Sequence, residues 1–284
     1  MSERNKKILI GIFIVIFIIV ASVFIEKSRS TKEAKNTVKL GLMPGGKQED
    51  AIWKQVKANA KKEYHINLKF INFTDGDEPN KALTSGEIDL NAFQHYAYLS
   101  SWNKANHGDI VSIGDTIITP IHLYSFKYKK VSEIPDSATI AIPNDASNES
   151  RALYVLKNAG LIKLDKSNGA LSTIKDITSN PKKLTIKEVD ASQIPRTLTS
   201  IDAAVINYNF AISAKIPEKD SIYKEPLNKD SAQWINFIAA RKKDKNKKLY
   251  KEVVKAYEQK NVSEIIKKEY PDGGEIPAWN LNLK

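Results

Sequence analysis

Four short stretches of this chain carry side chains suited to chemistry or ligand capture. The first is Asn144-Asp145-Ala146-Ser147-Asn148-Glu149-Ser150-Arg151. It joins a buried-strand pattern at 139–142 to a helical pattern, and unpaired backbone N–H groups at a helix start attract anions. Arg151, one turn into that helix, has the fork geometry for a bidentate pair with a carboxylate. Asn144 and Asn148 can each donate and accept hydrogen bonds. A plainer reading also stands, in which Asp145 or Ser147 caps the helix and Arg151 makes a surface ion pair. The second stretch is Phe93-Gln94-His95-Tyr96, where a strand meets a helix. Phe93 and His95 alternate and so share one face of the strand end. Open α/β sheets bind ligands at that end. An aromatic ring beside a hydrogen-bonding ring suits a polarised, partly apolar ligand, although a lone histidine is as readily structural.

The third stretch places Asn207 directly after the strand pattern Ala203-Ala204-Val205-Ile206. It can accept a hydrogen from a ligand ammonium, or bond its own backbone as a turn residue. Three polar strand ends in one α/β body point to a shared pocket more strongly than any one alone. The fourth stretch, Gly41-Leu42-Met43-Pro44-Gly45-Gly46-Lys47, fits the phosphate-loop spacing GxxxxGK. Residue 48 is Gln rather than the Ser or Thr that would hold magnesium, and no strand ends in a matching Asp. A tight turn whose glycines allow positive φ is the better reading. The chain has no cysteine, and His65, His95, His107 and His122 are scattered without metal-ligand spacing. Neither HExxH nor GxSxG occurs. No catalytic set, metal or cofactor is therefore expected.

The elements that must position these residues alternate between strand and helix. The segment 37–42 alternates as a strand, Ile52, Val56 and Ala60 recur at helical spacing, and 66–73 reads as a second strand. A short helix at 80–85, a buried strand at 88–92 and a helix over 94–106 follow, then strands at 110–118 and 121–126. The pattern restarts with a strand at 139–142 and a helix over 147–159, and continues with strands at 185–189 and 203–206. A last strand at 235–240 precedes an amphipathic helix at 247–257, expected to pack back on the first block. Two blocks of strand–helix alternation imply α/β lobes. The expected division is lobe 1 at 37–119 plus 235–284 and lobe 2 at 120–234.

Composition is that of a globular chain: 284 residues, 42% hydrophobic and 27% charged, with a net charge of +11. Its lysines are mixed with acids and lack the basic stripe with interleaved aromatics that nucleic-acid binding needs. A lysine-rich surface near an anionic membrane or cell-wall polymer fits better. Residues 8–25 form an uncharged run of 18 residues, ILIGIFIVIFIIVASVFI. As a helix it is roughly 27 Å long, near the ~30 Å of a bilayer core. It is too long and too bulky at its end for a typical cleaved signal. Residues 1–36 are expected to be a single-pass anchor and tether, with the body outside the cytoplasm.

The chain resembles the NlpA/MetQ family of substrate-binding lipoproteins that serve methionine-type ABC importers. The resemblance runs over 37–280 and rests on 38–41, 73–75, 79–83, GEIDLNAFQHYAYL at 86–99, IPNDASNESRAL at 142–153, 160–162, DITSNP at 176–181 and 203–207. FQHxxYL with IPNDxxNxxRAL is a specific combination. The resemblance implies a two-lobed clamp of the type II periplasmic-binding-protein class, closing on its ligand about a hinge and preceded here by one transmembrane helix. It implies that Arg151 pairs with the ligand carboxylate, that Asn148 and Asn207 bind the amino-acid head group, and that Phe93 and His95 line the side-chain pocket. Asn236 matches a further family asparagine. The expected function is delivery of methionine, or a related amino acid or dipeptide, to an ABC permease, without catalysis. An enzyme using His95 as base and a surface adhesion protein are the competing readings.

Two departures stand out. The family's lipidated cysteine is absent, and the transmembrane helix would replace it. Gly76-Asp77 stands where the family often has Tyr after Asp, so an aromatic wall is expected to be lost and the pocket enlarged or made more polar.

Overall fold

The computed structural model describes residues 36–165 and 171–281. The expected membrane helix at 8–25 and its tether lie outside the described residues. Among the described residues no helix is long and apolar enough to cross a membrane.

The strands are β1 (Thr37–Leu42), β2 (Asn67–Asn72), β3 (Leu90–Ala92), β4 (Ile110–Ile118), β5 (His122–Tyr124), β6 (Thr139–Pro143), β7 (Lys163–Leu164), β8 (Ile177–Ser179), β9 (Thr185–Val189), β10 (Ala203–Ile206), β11 (Ser221–Lys224), β12 (Ile235–Arg241) and β13 (Ile276–Pro277). The helices are α1 (Gly46–Tyr64), α2 (Glu78–Ser85), α3 (Tyr96–Asn106), α4 (Ala146–Asn158), α5 (Ile194–Thr197), α6 (Tyr208–Ser213), α7 (Lys248–Tyr257) and α8 (Lys260–Glu269). Besides a separate two-stranded pair of β7 and β8, one large sheet has the order β13-β4-β12-β3-β1-β2 and the other β11-β5-β10-β6-β9. The chain crosses between them at 119–121 and again at 225–234, so each sheet anchors one lobe.

Both sheets are mixed. In the first, β1 pairs parallel with β2 and β3, while β12 runs antiparallel to β3 and β4. Its central strand β12 shows why a continuous apolar run folds as a doubly covered strand. Ile238 and Ala240 enter the core under α1, α7 and α8, while Phe237 and Ala239 face the core under α2 and α3. Side chains two apart share a face, so an uninterrupted hydrophobic strand must be covered on both. The second sheet repeats the logic. Ile140 and Ile142 pack beneath α4, and Ala141, Ala204 and Ile206 pack beneath α5 and α6.

The carboxyl-terminal helices α7 and α8 pack on α1 as expected, with Asn59 Nδ2 donating to the carbonyl of Ala256 at 3.0 Å. The helix expected at 94–106 begins instead at Tyr96. His95 keeps an extended backbone and its ring Nδ1 accepts the Tyr98 N–H at 3.0 Å, so it caps the helix rather than joining it. In the GxxxxGK turn, Gly46 has φ +79°, as a tight turn demands. Neither β11 nor β13 was legible as a strand, since each is short and lies at a sheet edge.

Helix α7 sits close on β4 because Gly114 presents no side chain: a Cβ there would lie 2.2 Å from Val254 Cγ1. Gly114→Ala should therefore lower stability in urea denaturation by about 1–3 kcal/mol, the usual cost of overpacking. Gly114→Ala combined with Val254→Ala should recover part of that loss, and purely additive losses would show that this contact does not set the spacing.

Candidate functional site

One cleft gathers the carboxyl ends of β1, β3 and β4 from one sheet and of β6 and β10 from the other, together with the amino ends of the antiparallel β12 and β5. The cleft holds a cavity of about 350 Å³ lined from lobe 1 by Phe93, His95, Tyr98 and Asn236 and from lobe 2 by Asn144, Asn148, Arg151 and Asn207. All seven residues singled out from sequence thus line one space. Asn144, at the end of β6, is solvent-exposed at its edge, whereas Asn148 and Arg151 are buried.

Local sequence sets these positions. Asp145 caps α4, its Oδ1 accepting the N–H of Asn148 at 3.0 Å and the Ser147 hydroxyl at 2.9 Å. The cap turns Asn148 inward, and Asn148 Nδ2 donates to both Asp145 oxygens at 3.1 and 3.0 Å. That leaves Asn148 Oδ1 to accept from Asn207 Nδ2 at 2.8 Å and to meet His95 Nε2 at 3.2 Å across the cleft. Because His95 Nδ1 already accepts the Tyr98 N–H, the neutral ring carries its proton on Nε2 and donates it to Asn148. Burial, then the Arg151 charge, push the His95 pKa down to about 3. Asn207 Oδ1 is buried and has no hydrogen-bond partner among the described residues.

Arg151 is not a surface ion pair. It is 2% exposed. Its Nε donates to Glu225 Oε1 and Oε2 at 3.0 and 3.1 Å, and its Nη2 donates to Glu225 Oε2 and, at 2.8 Å, to the carbonyl of Thr119. Its guanidinium lies 4.8 Å from the Trp234 ring, which also meets His95 edge-on at 5.1 Å. The bidentate edge expected for a ligand carboxylate is therefore already taken by Glu225. Only the Nη1 hydrogens keep no partner among the described residues, so a ligand carboxylate would engage that end alone. Neither Glu225 nor Trp234 carried a sequence signal: each acts from the second crossing between the lobes, far from Arg151 in the chain.

The aromatic side differs from expectation as well. Gly76 does leave its own position bare, but Tyr98 from α3 stands in front of it, and a Cβ on Gly76 would lie 3.2 Å from the Tyr98 hydroxyl. Tyr98 packs edge-on against Phe93 at 5.9 Å and His95 at 6.2 Å, closing an aromatic wall. Asp75 and Asp77 line the cavity beside it, so this edge is made polar rather than simply widened. Behind the wall, Asn80, Asn91 and Gln94 form a buried hydrogen-bonded set, with Gln94 Nε2 donating to Asn80 Oδ1 at 2.7 Å and Asn91 Nδ2 to Asn80 Oδ1 at 2.9 Å. This set pins the end of β3 and hence Phe93 and His95. Among the described residues no group of three or more His, Cys, Asp or Glu side chains could hold a metal.

Similarity to known proteins spans the same body. The NlpA lipoprotein family model matches residues 38–279. The D-methionine-binding lipoprotein MetQ of Yersinia pestis is 36% identical over 252 residues, covering 88% of this chain and 91% of that protein. Among solved structures, the substrate binding protein of a methionine transporter from Streptococcus pneumoniae has a TM-score of 0.81 at 46% identity, covering 86% of this chain and 96% of that one. A nutrient binding protein from Burkholderia cenocepacia, bound to methionine, has a TM-score of 0.80 at 43% identity, covering 85% and 99%. The two-lobed α/β body is thus a substrate-binding-protein fold.

Two outcomes test the site's electrostatics. Glu225→Ala leaves the Arg151 charge buried and unpaired, and should cost about 3–5 kcal/mol in chemical denaturation. His95 has a folded pKa of about 3 against an ordinary 6.5, so between those values the unfolded chain binds the extra proton. Its contribution to stability is present above pH 6.5 and is lost as pH falls towards 3. The unfolding free energy of His95→Gln should therefore fall less steeply with acidification over that window than that of the parent.

Proposed function

The chain belongs to the NlpA lipoprotein family, and we propose that it is an extracytoplasmic solute-binding protein that delivers methionine, or a closely related amino acid or dipeptide, to an ABC permease. The observation that carries this reading is the polarity of the cavity. Lobe 2 offers a cationic Arg151 and an unpartnered acceptor, Asn207 Oδ1, while lobe 1 offers the rings of Phe93, His95 and Tyr98. A carboxylate and an ammonium suit the first wall. A flexible thioether suits the second, because sulfur packs favourably against ring edges. At about 350 Å³ the cavity sits at the small end of ligand pockets, in keeping with a single small solute.

In this reading Arg151 Nη1 meets the ligand carboxylate, Asn148, Asn207 and Asn236 hold the head group, Asn144 guards the mouth, and Phe93 and His95 enclose the side chain. Residues 37–119 with 235–284 and residues 120–234 are the two lobes of the clamp. Residues 8–25 hold it at the outer face of the membrane, since a chain without cysteine offers no thiol for a lipid. Binding without turnover is favoured over catalysis by the state of His95. Its Nδ1 lone pair is taken by the Tyr98 N–H, so the ring has no free base to abstract a substrate proton.

The test is calorimetry and thermal melting of the full-length protein against L-methionine, D-methionine, methionine dipeptides and the other amino acids. Saturable, stoichiometric binding is expected, adding about 2.7 kcal/mol of stability at a hundred times Kd. Asn207→Ala should retain the fold and weaken binding by about 10–150-fold, the value of one hydrogen bond to a charged group. Unchanged melting across the whole panel would refute the reading.

A further inference from the structure

Beside the main cavity lies a second chamber of about 60 Å³. The two share Met43, Phe93, Thr119, Asn209 and Asn236 as common walls. Among charged groups, the main cavity is lined by Arg151 as well as by aspartates, and the chamber by acids alone. The chamber is lined by two carboxyls, Glu49 from the first turn of α1 and Glu275 from the segment entering β13, and by no lysine or arginine. Glu275 is 6% exposed; among the described residues its buried Oε2 has no partner in good hydrogen-bond geometry, the Tyr270 hydroxyl being the one donor that interacts with this carboxyl. Glu49 Oε1 accepts the indole N–H of Trp53 at 3.1 Å. Its Oε2 lies over Gly45, where a Cβ would fall 1.4 Å away, so the glycine of the GxxxxGK turn makes room for this carboxyl.

Glu275 is buried and Glu49 partly buried, and two such acids with no cation between them either hold protons or take up a compensating charge. The groups facing them offer none. Asp50 lies beside Glu49 on α1, and Tyr257 of α7 and Tyr270 after α8 approach from the other side. Burial pushes Glu49 up to about 7, and burial followed by the Glu49 charge holds Glu275 well above the carboxylate range. Near neutral pH the pair therefore retains protons.

We propose that this chamber is a subsite for a small ammonium-type cation, reached from the main cavity past Asn236 and Phe93, with the carboxylates of Glu49 and Glu275 as its counter-charges. A water-sized group needs roughly 10–15 Å³ of such free volume, so an ammonium and a companion water fit. The chamber is rich in acceptors, which an ammonium's hydrogens match. The cation is either the terminal amino group of a dipeptide seated in the main cavity, whose amide N–H then takes the Asn207 acceptor, which rests on the function proposed above, or a free monovalent ion, which does not. Either source favours ionised carboxylates, so occupancy releases protons and affinity rises with pH through about 7.

The full-length protein separates the sources. Titration with L-methionine and a methionine dipeptide in choline chloride, in buffers of different ionisation enthalpy at pH 6, 7 and 8, reads protons released on binding. Thermal melting in ammonium, potassium or sodium chloride against choline chloride, at matched ionic strength and without amino acid, reads a free cation. A ligand-borne cation predicts that the dipeptide, and not free methionine, releases up to about one proton below pH 7, with Glu49→Gln and Glu275→Gln each suppressing the release and weakening dipeptide binding about tenfold. A free cation predicts a salt-specific rise in melting temperature that Glu275→Gln removes. If the protein binds methionine or the dipeptide, no dipeptide binding releases a proton, and it melts alike in all four salts, the subsite is overturned while the transport reading stands. A salt-specific shift in a protein that binds no amino acid would support the subsite and sink the transport reading.

Discussion

A guanidinium buried in the floor of the cleft organises this protein. Arg151 is held by Glu225 and by the carbonyl of Thr119. Those two partners lie on the two crossings between the lobes. The Ile121 N–H also donates to Glu225 Oε2 at 3.1 Å, and the Glu225 N–H returns a bond to the Ile121 carbonyl at 3.0 Å. A charge that cannot be left unpaired in a dry interior thus ties both connecting strands to the first helix of lobe 2. Whatever touches Arg151 from the cavity touches the point on which both crossings converge.

The rest of the site is built so that little reorganisation is needed. Asp145 caps α4 and orients Asn148, and Asn148 orients Asn207 while receiving the His95 proton from the opposite lobe. Each donor and acceptor in that chain has one sensible role, so the neutral histidine and its tautomer follow from the hydrogen bonds rather than from solution pH. A satisfied polar network of this kind specifies geometry more sharply than apolar packing alone. What it leaves open, Asn207 Oδ1 and the Nη1 end of Arg151, is the polarity that a zwitterionic solute supplies.

The two cavities share Asn236 as a wall but differ in their basic groups: Arg151 lines the main cavity together with Asp75, Asp77, Asp145 and Asp190, whereas the smaller chamber has Glu49 and Glu275 and no basic side chain. The protein's basic surface, with its net charge of +11, gives no hint of this internal division.

The sequence by itself determined the alternation of elements, the α/β class and the residues that meet in the cleft. Periodicity locates strands and helices, and Phe93, His95, Asn144, Asn148, Arg151 and Asn207 stand at strand ends or helix starts, where a local signal exists. Asn236 was legible only through family resemblance. Tertiary structure alone decided the partners. Glu225 reaches Arg151 over a separation of 74 residues, Trp234 stacks on the same group from a short irregular helix, and Tyr98 covers the gap that Gly76 seemed to open. Glu49 and Glu275 carried no sequence signal, and only the fold brings them to the wall of one chamber. The reason is physical: secondary structure follows from near neighbours in the chain, whereas the pairing of a buried charge depends on which distant segment the packing brings against it.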